Sequence, residues 1–358
     1  MLQLLLLAAS SSSSETCSSS SGVWLGEGAA AGLGDIVGDA RFRADLYERR
    51  WRHMPRVLAA PTVARLQGLD ERVFALVNAK NQGSFQKVVR NERVEVGAAP
   101  TAADVRAAAS AGTVIVNRMQ DADAAVAELA DGVRAQLGIR PNINLYAAPA
   151  RTQGLSAHHD PQDTLIVQLA GGKLWRVCDP IGAGKLLPTR VSEQPGHPLH
   201  SSYSAARLEG ATCADVELRV GDVLYMPRGT VHAPRTAGQA SLHLTVGFDG
   251  DFTWMDFLKG LWKTKAIANP AAYVTCLQER DMNKLVAHEV LLKLRTREQL
   301  AAASKAFLAA FREGLDWGAC PDEVTALLSC DKCVADAVWF MHELQVRARQ
   351  ADAEHVWK

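Results

Sequence analysis

The stretch NLYAAPARTQGLSAHHDPQDTLIVQLAGGKLW, residues 144–175, carries the side chains that decide our interpretation of this chain. His158 and Asp160 lie two positions apart, and in an extended strand that spacing points both side chains to the same side. They can therefore reach one metal ion, whereas the intervening His159 points away. A site that binds a metal firmly needs at least one more ligand from elsewhere in the chain.

That ligand is offered by a second stretch, GDVLYMPRGTVHAP, residues 221–234. An apolar strand at 223–226 precedes a Pro-Arg-Gly turn, and His232 follows at the start of the next strand. A turn between two strands of a small barrel would bring His232 back to the first pair. Two imidazoles and one carboxylate form the facial triad that holds Fe(II) with coordination positions left open. The sequence therefore predicts a catalytic iron site formed by His158, Asp160 and His232.

Three other histidines compete for the role of ligand. His243 lies in the alternating apolar run 241–247, which favours a satisfied histidine of the core. His197 and His200 fall in a Pro/Gly/Ser-rich insertion, residues 179–212, with no acidic or cysteine partner at metal spacing. We interpret these two as surface histidines and the insertion as a lid that faces the substrate.

Lys173 follows Asp160 after the apolar run 165–169 and the pair Gly171-Gly172. We expect a turn at the glycines between two antiparallel strands, 164–169 and 173–177. The returning strand would place Lys173 near the metal, where its ammonium can bind the far carboxylate of a bidentate 2-oxo acid. This position favours 2-oxoglutarate as cosubstrate.

The pattern from 142 to 246 is one of short strands separated by Gly, Pro and Asp turns, which is typical of an antiparallel double-sheet barrel of the jelly-roll kind. Before it we expect an amphipathic helix at 39–56 that ends at Pro55, a helix at 62–78, an edge strand at 84–97 and a helix at 121–137. This preceding region has no catalytic signature, so its expected role is to support the barrel. The fold class is α+β: a double-stranded β-helix core with flanking helices and a helical C-terminal region.

Several motifs together resemble the JmjC ribosomal oxygenases. They are N-x-Y at 144–146, Gln153-Gly154, H-x-D at 158–160, Q-L-x-G-x-K-x-W at 168–175 and G-D-x-L-Y-x-P-R-G-x-x-H at 221–232. The resemblance implies a cupin-fold Fe(II)/2-oxoglutarate enzyme that hydroxylates a histidine or arginine of a ribosomal protein. For some eukaryotic members it also implies histone lysine demethylation.

The resemblance also implies roles for single residues. His158, Asp160 and His232 match the iron ligands, Lys173 matches the 2-oxoglutarate lysine, and Asn144 and Tyr146 match a polar pair near the substrate. Gly247 departs from the pattern, because relatives tend to carry a serine there, and this leaves the substrate open. The family further implies a nuclear or nucleolar location, with cytoplasm or an organelle as alternatives.

Composition sets limits on the partners. The 358 residues include 39 basic and 39 acidic side chains, so no overall charge attracts nucleic acid or an anionic membrane. We expect protein substrates and neither direct nucleic-acid binding nor a membrane partner. Six arginines between 41 and 56 fit a solvated helix face better than a nucleic-acid site. Seven irregularly spaced cysteines form no disulfide framework and indicate a reducing compartment.

Both ends of the chain differ from the middle. Residues 1–21 form a serine-rich, low-complexity leader whose apolar stretch is too short for a membrane span, and a cleaved signal is one alternative. We divide the rest into a catalytic domain, 22–250, and a helical region, 251–358, through which the chain could form a homodimer. Cys330 and Cys333 lie within that region, and we interpret them as two thiols on one helix face rather than half a zinc site.

Two functions compete with side-chain hydroxylation. Lysine demethylation uses the same metal centre on an N-methyl group, so the centre cannot separate the two reactions. A metal-binding cupin without catalysis, acting as a scaffold or binding module, is the alternative from another class.

Overall fold

The structure of this chain is a computed structural model, and it describes residues 32–89, 91–137, 141–180 and 203–248 together with isolated positions between 322 and 336. The predicted leader, the lid histidines His197 and His200, and nearly all of the helical C-terminal region lie outside the described residues. In the described part of the chain, no helix has the length and apolar character needed to cross a membrane.

In the described part of the chain, six short α-helices precede the barrel or flank it, and each buries apolar side chains. In chain order they are α1 (Leu33–Gly38), α2 (Ala60–Leu66), α3 (Leu69–Phe74), α4 (Ala102–Ala111), α5 (Met119–Ala122) and α6 (Ala124–Leu137). Thr101 caps the start of helix α4, because its side chain accepts a hydrogen bond from the Asp104 backbone N–H. The longest, α6, buries Val126, Leu129 and Val133 in the main apolar cluster.

Ten strands form the sheet structure of the described residues: β1 (Arg52–Met54), β2 (Phe85–Val89), β3 (Glu92–Glu95), β4 (Val114–Val116), β5 (Asn142–Ala148), β6 (Asp163–Cys178), β7 (Cys213–Arg219), β8 (Val223–Met226), β9 (Val231–Arg235) and β10 (Ser241–Phe248). The main path runs β1-β8-β6-β10-β5-β4-β2-β3, and β7 and β9 pair with the second half of β6. All pairings are antiparallel. The predicted jelly-roll core with flanking helices is confirmed.

Strand β6 corrects our prediction of a turn at the glycine pair. It continues through Gly171 and Gly172, pairing first with β8 and β10 and then with β7 and β9. Gly171 has a φ of 60°, and the register with β10 shifts shortly before it, between Gln168 and Ala170. A Cβ at Gly171 would overlap the carbonyl oxygen of Ala240. The glycines therefore permit a bulge and a close strand approach, so that one strand passes from one sheet into the other.

The helix predicted at 39–56 is also partly wrong. Helical backbone ends at Leu46, and Arg52–Met54 form β1, which pairs with β8. Glu48, between them, takes a left-handed conformation with a φ of 54°. The available edge of β8 overrides the local helical pattern, because pairing there buries Met54 in the main core.

Two disulfides contradict the interpretation of the cysteines as free thiols. Cys178 and Cys213 face each other in the β6–β7 ladder and are bonded, as are Cys330 and Cys333. Directly opposed strand positions bring the first pair together although they lie 35 residues apart. Spacing along the sequence could not show this pairing.

Candidate metal centre

His158, Asp160 and His232 lie together at one end of the barrel. Each offers a ligand atom, and these atoms all lie within 4.8 Å of one another. The Asp160 carboxylate is 3.7 Å from Nε2 of His232, and the two imidazole rings are 4.3 Å apart between centroids. His232 is buried, whereas His158 and Asp160 are half-exposed. The buried His232 therefore closes one side of the ligand group, whereas His158 and Asp160 leave the other side accessible to solvent and substrate.

Both imidazoles are oriented by the same local device. Nδ1 of His158 lies 2.7 Å from the Ser156 carbonyl oxygen, and Nδ1 of His232 lies 3.0 Å from that of Thr230. A carbonyl only accepts, so each Nδ1 carries the proton and each Nε2 keeps its lone pair. Outer hydrogen bonds of this kind fix the tautomer and the ring plane of metal-binding histidines. Two Nε2 atoms and one carboxylate are a donor set that fits a divalent transition metal.

The H-x-D pair reaches this geometry by a different route from the predicted strand. His158 and Asp160 lie in a loop before β6, and a two-hydrogen-bond bridge joins the backbones of His158 and His232, at 3.0 and 2.7 Å. The Asp160 carbonyl also accepts the Gly229 N–H at 3.1 Å. Backbone hydrogen bonds thus hold the segment of His158 and Asp160 directly against the segment of His232. The distance between the ligands is set by these bonds and not by the alternation of side chains along a strand.

Electrostatics favour a neutral His232. Burial is the main cause that lowers its pKa to about 4, and the neighbouring His158 lowers it further. An imidazole that stays neutral at physiological pH keeps its lone pair for a metal. The group is therefore ready to bind a cation without first losing a proton.

Lys173 lies inside the barrel, on the part of β6 that pairs with β7. It is 3% exposed, its Nζ is 5.7 Å from the Trp175 ring centroid, and no carboxylate of the described residues forms an ion pair with it. Burial lowers its pKa to about 7. Nε1 of Trp175 is also buried without a hydrogen-bond partner in the described part of the chain. Within the described part of the chain, Lys173 therefore has no carboxylate partner and Nε1 of Trp175 has no hydrogen-bond acceptor.

His243 corrects our interpretation of a satisfied core histidine. It is buried, but its Nδ1 has no hydrogen-bond partner among the described residues. The ring stacks on Tyr146 at 4.9 Å and meets Trp175 edge to face at 5.6 Å. Burial, followed by the charge of Lys173, holds its pKa well below the usual value. His243 therefore belongs to the wall of the barrel interior, beside Lys173.

Asn144 and Tyr146 project from β5, and both are half-buried. The Asn144 side-chain oxygen accepts the backbone N–H of Arg118 at 3.1 Å, which leaves its amide N–H groups for other partners. The Tyr146 hydroxyl accepts a hydrogen bond from Arg93 at 2.9 Å. Burial raises the pKa of Tyr146, which keeps it a neutral phenol. The structure thus places Tyr146 opposite His243 and Asn144 opposite Thr245 in the β5–β10 ladder.

His159 is not one of the three clustered ligand residues, and it makes a contact that the sequence did not indicate. Its Nδ1 is 2.8 Å from the Tyr203 hydroxyl, and the Tyr203 N–H donates to the Ala157 carbonyl at 3.1 Å. Tyr203 lies within the insertion, residues 179–212, and is the first described residue after position 180. This part of the insertion therefore contacts the loop that carries the H-x-D pair.

A buried polar network behind the site was also missed. Tyr225 donates to Asp163 at 2.5 Å and accepts from the Glu48 N–H at 3.0 Å, while Arg228 donates to the Glu48 carboxylate at 2.7 Å. Burial raises the pKa of Asp163 to about 8. Asp163 follows Asp160 by three positions and Arg228 precedes His232 by four. The network joins both ligand segments to the N-terminal region.

Gly247 has a structural counterpart in Gln162. A Cβ at Gly247 would overlap the Gln162 side-chain amide, so this amide occupies the space that a side chain at 247 would need. Gly247 pairs with Asn142 and Thr164, beside the polar residues of β5. The Gln162 amide therefore occupies the space in which relatives would place the serine side chain.

Comparison with known proteins agrees with the motifs. The family model for the JmjC domain matches residues 116–253. A Dictyostelium discoideum protein named bifunctional lysine-specific demethylase and histidyl-hydroxylase NO66 is 36% identical over 148 residues, which are 41% of this chain and 26% of that protein. Ribosomal oxygenase 1 of Gallus gallus is 34% identical over 143 residues, 40% of this chain and 21% of that protein.

Among solved structures, E. coli ycfD aligns with 73% of this chain and 69% of its own, at 16% identity and a TM-score of 0.44. The chain spans about a quarter of the length of the two curated relatives. The region that the JmjC-domain model matches contains all six side chains to which the motifs assign a role: Asn144, Tyr146, His158, Asp160, Lys173 and His232. The region from 116 to 253 is therefore similar to the JmjC domain and to parts of ribosomal oxygenases.

Proposed function

We propose that this chain is an Fe(II)- and 2-oxoglutarate-dependent dioxygenase that hydroxylates a protein side chain. One observation carries the proposal: ligand atoms of His158, Asp160 and His232, from segments more than 70 residues apart, lie within 4.8 Å of one another. Two neutral imidazoles and a carboxylate are the ligand set of non-haem Fe(II) oxygenases. The names of the relatives, which include a histidyl-hydroxylase and ribosomal oxygenases, support the same class of reaction.

Lys173 is the residue we assign to the cosubstrate. A buried lysine that lacks a carboxylate partner costs free energy as a cation, and a bound dicarboxylate would supply the missing charge. The far carboxylate of 2-oxoglutarate fits this need, and the unpartnered Nε1 of Trp175 adds a further donor nearby. The apolar surroundings of Ile166, Val177 and Leu218 keep water from competing.

Fe(II) with 2-oxoglutarate supplies oxidation of a substrate C–H bond by dioxygen, with succinate and carbon dioxide released and one oxygen atom placed in the product hydroxyl. The residues of this chain bind and orient the reactants. His158 and Asp160, which are half-exposed, form the side from which a substrate can approach. Asn144 and Tyr146 are our candidates for holding the substrate, through the Asn144 amide N–H groups and the Tyr146 hydroxyl.

We also propose which protein residue the enzyme modifies. By resemblance it is a histidine or arginine of a ribosomal protein, and lysine demethylation of a histone is the second candidate because one relative's name includes that activity. We also propose that residues 22–250 act as one catalytic domain, since the main apolar cluster extends from Leu33 to Phe248. A nuclear or nucleolar location and a homodimer through residues 251–358 remain predictions.

Succinate formation is the direct test. The full chain, loaded anaerobically with Fe(II) and mixed with 2-oxoglutarate and air, should release succinate, and peptides containing histidine or arginine from ribosomal proteins should raise the rate. Mass spectrometry of the peptide should show the addition of one oxygen atom. A chain that binds Fe(II) but neither forms succinate nor modifies any peptide would instead be a metal-binding scaffold.

A further inference from the structure

The hairpin of β2 and β3 reaches the site, although its sequence has no catalytic signature. The two strands pair from Gln86↔Glu95 to Val89↔Glu92, and β2 continues through β4 to β5, the strand of Tyr146. We call the residues Asn91 and Arg93 the hairpin tip. Both are exposed, and each makes a contact with a segment of the candidate metal centre.

Arg93 determines how the Tyr146 hydroxyl is used. Its Nη2 donates to the hydroxyl oxygen at 2.9 Å, and the guanidinium lies 5.9 Å from the ring centroid. A guanidinium has no acceptor, so the hydroxyl oxygen must accept here. The hydroxyl hydrogen is then left to donate elsewhere. With its ring already stacked on His243, Tyr146 is held as a hydrogen-bond donor for whatever enters the site.

Asn91 acts on the other side of the site. It occupies the turn with a φ of 71°, a left-handed conformation that asparagine tolerates, and its side-chain oxygen accepts the backbone N–H of Ser156. The Ser156 carbonyl is in turn the partner of Nδ1 of His158, at 2.7 Å. Two hydrogen bonds in series therefore connect the hairpin tip to the orientation of one candidate metal ligand.

We propose that the hairpin tip is a wall of the active site, in which Asn91 positions the segment that orients His158 and Arg93 positions the Tyr146 hydroxyl as a donor. The inference deepens the proposed function and rests on it for any catalytic effect, whereas the effect on metal binding is independent of turnover. Because both contacts come from one exposed hairpin, displacement of the hairpin would disturb the metal side and the substrate side together.

Asn91 offers a matched pair of variants. Asn91→Gly keeps the left-handed turn and removes the acceptor, whereas Asn91→Asp keeps an acceptor of the same length. Partners of metal-binding histidines typically contribute 10- to 100-fold in affinity, and Asn91 acts one bond further out, so we expect a smaller effect. In a titration with Co(II), Asn91→Gly should bind about threefold to tenfold more weakly. Asn91→Asp should bind at least as tightly as the unaltered chain.

The visible absorption of the bound Co(II) provides a second readout, because a reoriented imidazole alters the ligand field. We expect a changed spectrum for Asn91→Gly and an unchanged one for Asn91→Asp. If Asn91→Gly has the affinity and spectrum of the unaltered chain, the proposal for Asn91 is wrong, whether or not the protein has any turnover.

Arg93 is tested with a peptide that the unaltered chain hydroxylates. Arg93→Leu should raise the KM for the peptide about tenfold, which corresponds to one hydrogen bond to a positioned group. Arg93→Gln, which keeps an N–H donor without the charge, should recover most of the loss. An unchanged KM in Arg93→Leu would remove Arg93 from the site.

The outcomes separate the two levels of the proposal. Failure of the unaltered chain to form succinate contradicts the proposed function, and the Co(II) comparison of the Asn91 variants then decides the inference alone. Normal turnover with no effect of any hairpin variant contradicts the inference and leaves the proposed function in place.

Discussion

The two faces of strand β10 have opposite roles. Leu242, Leu244, Val246 and Phe248 face the main apolar cluster that includes the helices, whereas the alternate residues His243, Thr245 and Gly247 face the polar residues of the site. Because side chains alternate between the two faces of a strand, one set of β10 residues stabilises the fold while the other set lines the site. The difference teaches that substitutions on the apolar face should act on folding and those on the polar face on binding.

The largest expected effect comes from the apolar face. Leu244 is fully buried opposite Leu145 and Val167. Leu244→Ala should lower the free energy of unfolding by about 2–5 kcal/mol, because it leaves a cavity in a packed core. Denaturant unfolding measures this, and Co(II) affinity of the folded fraction should be unchanged. Thr245→Ala, at a half-buried position on the polar face, is the matched control, with a smaller expected loss of about 1 kcal/mol. Equal losses for the two variants would contradict the division between the faces.

The next effect concerns Lys173. Lys173→Ala should weaken 2-oxoglutarate binding by about 2–4 kcal/mol, roughly 30- to 1000-fold, because a charge-assisted pair is lost. Calorimetric titration of the Co(II)-loaded protein measures this, and Co(II) affinity itself should change little. Lys173→Met, which keeps an apolar stem, shows whether the charge rather than packing is responsible. An unaltered affinity in both variants would exclude Lys173 from the cosubstrate site.

The pH dependence of cosubstrate binding follows from the same lysine. Its pKa is lowered from 10.5 to about 7 in the folded chain, so between these values the unfolded chain holds a proton that the folded chain has lost. Stability without ligand therefore rises with pH across this window. Binding of a dicarboxylate requires the ammonium, so affinity should fall about tenfold per pH unit above pH 7. Lys173→Met should lose this dependence, and a flat profile for the unaltered chain would contradict the assignment.

The smallest effect is expected at His159. His159→Ala removes the contact with Tyr203 and should cost about 1 kcal/mol of unfolding free energy. Tyr203→Phe should cost a similar amount, and the double variant less than the sum, because both remove one hydrogen bond. Co(II) affinity should stay within about twofold of the unaltered value, since His159 is not among the three clustered ligand residues. A large loss of affinity would mean that His159 belongs to the metal site.

The sequence could predict what depends on local pattern. Alternation and turn residues indicate the strands of the barrel, and the spacing of His158 and Asp160 with the turn before His232 indicates which side chains meet. The sequence did not predict that β6 is one continuous strand, because a pair of glycines is compatible with both a turn and a β-bulge. Only the approach of Ala240 to Gly171 distinguishes them.

The contacts between distant segments could not be predicted. Arg93 and Tyr146 are 53 residues apart, and Glu48 and Arg228 are 180 apart. No local pattern records such pairs, because they exist only after the sheet has formed. The role of His243 was missed for a related reason: a strand pattern shows that a histidine is buried, but not whether its nitrogen atoms have partners.

The central claim is that His158, Asp160 and His232 form one metal site, and anaerobic titration of the full chain with Fe(II) tests it most directly. We predict one Fe(II) per chain, and loss of this binding when any one of the three is replaced by alanine, with the circular dichroism of the folded barrel retained. His243→Ala, which alters the barrel wall and none of the three, should keep its iron. Binding of Fe(II) by His232→Ala with the stoichiometry and affinity of the unaltered chain would contradict the account.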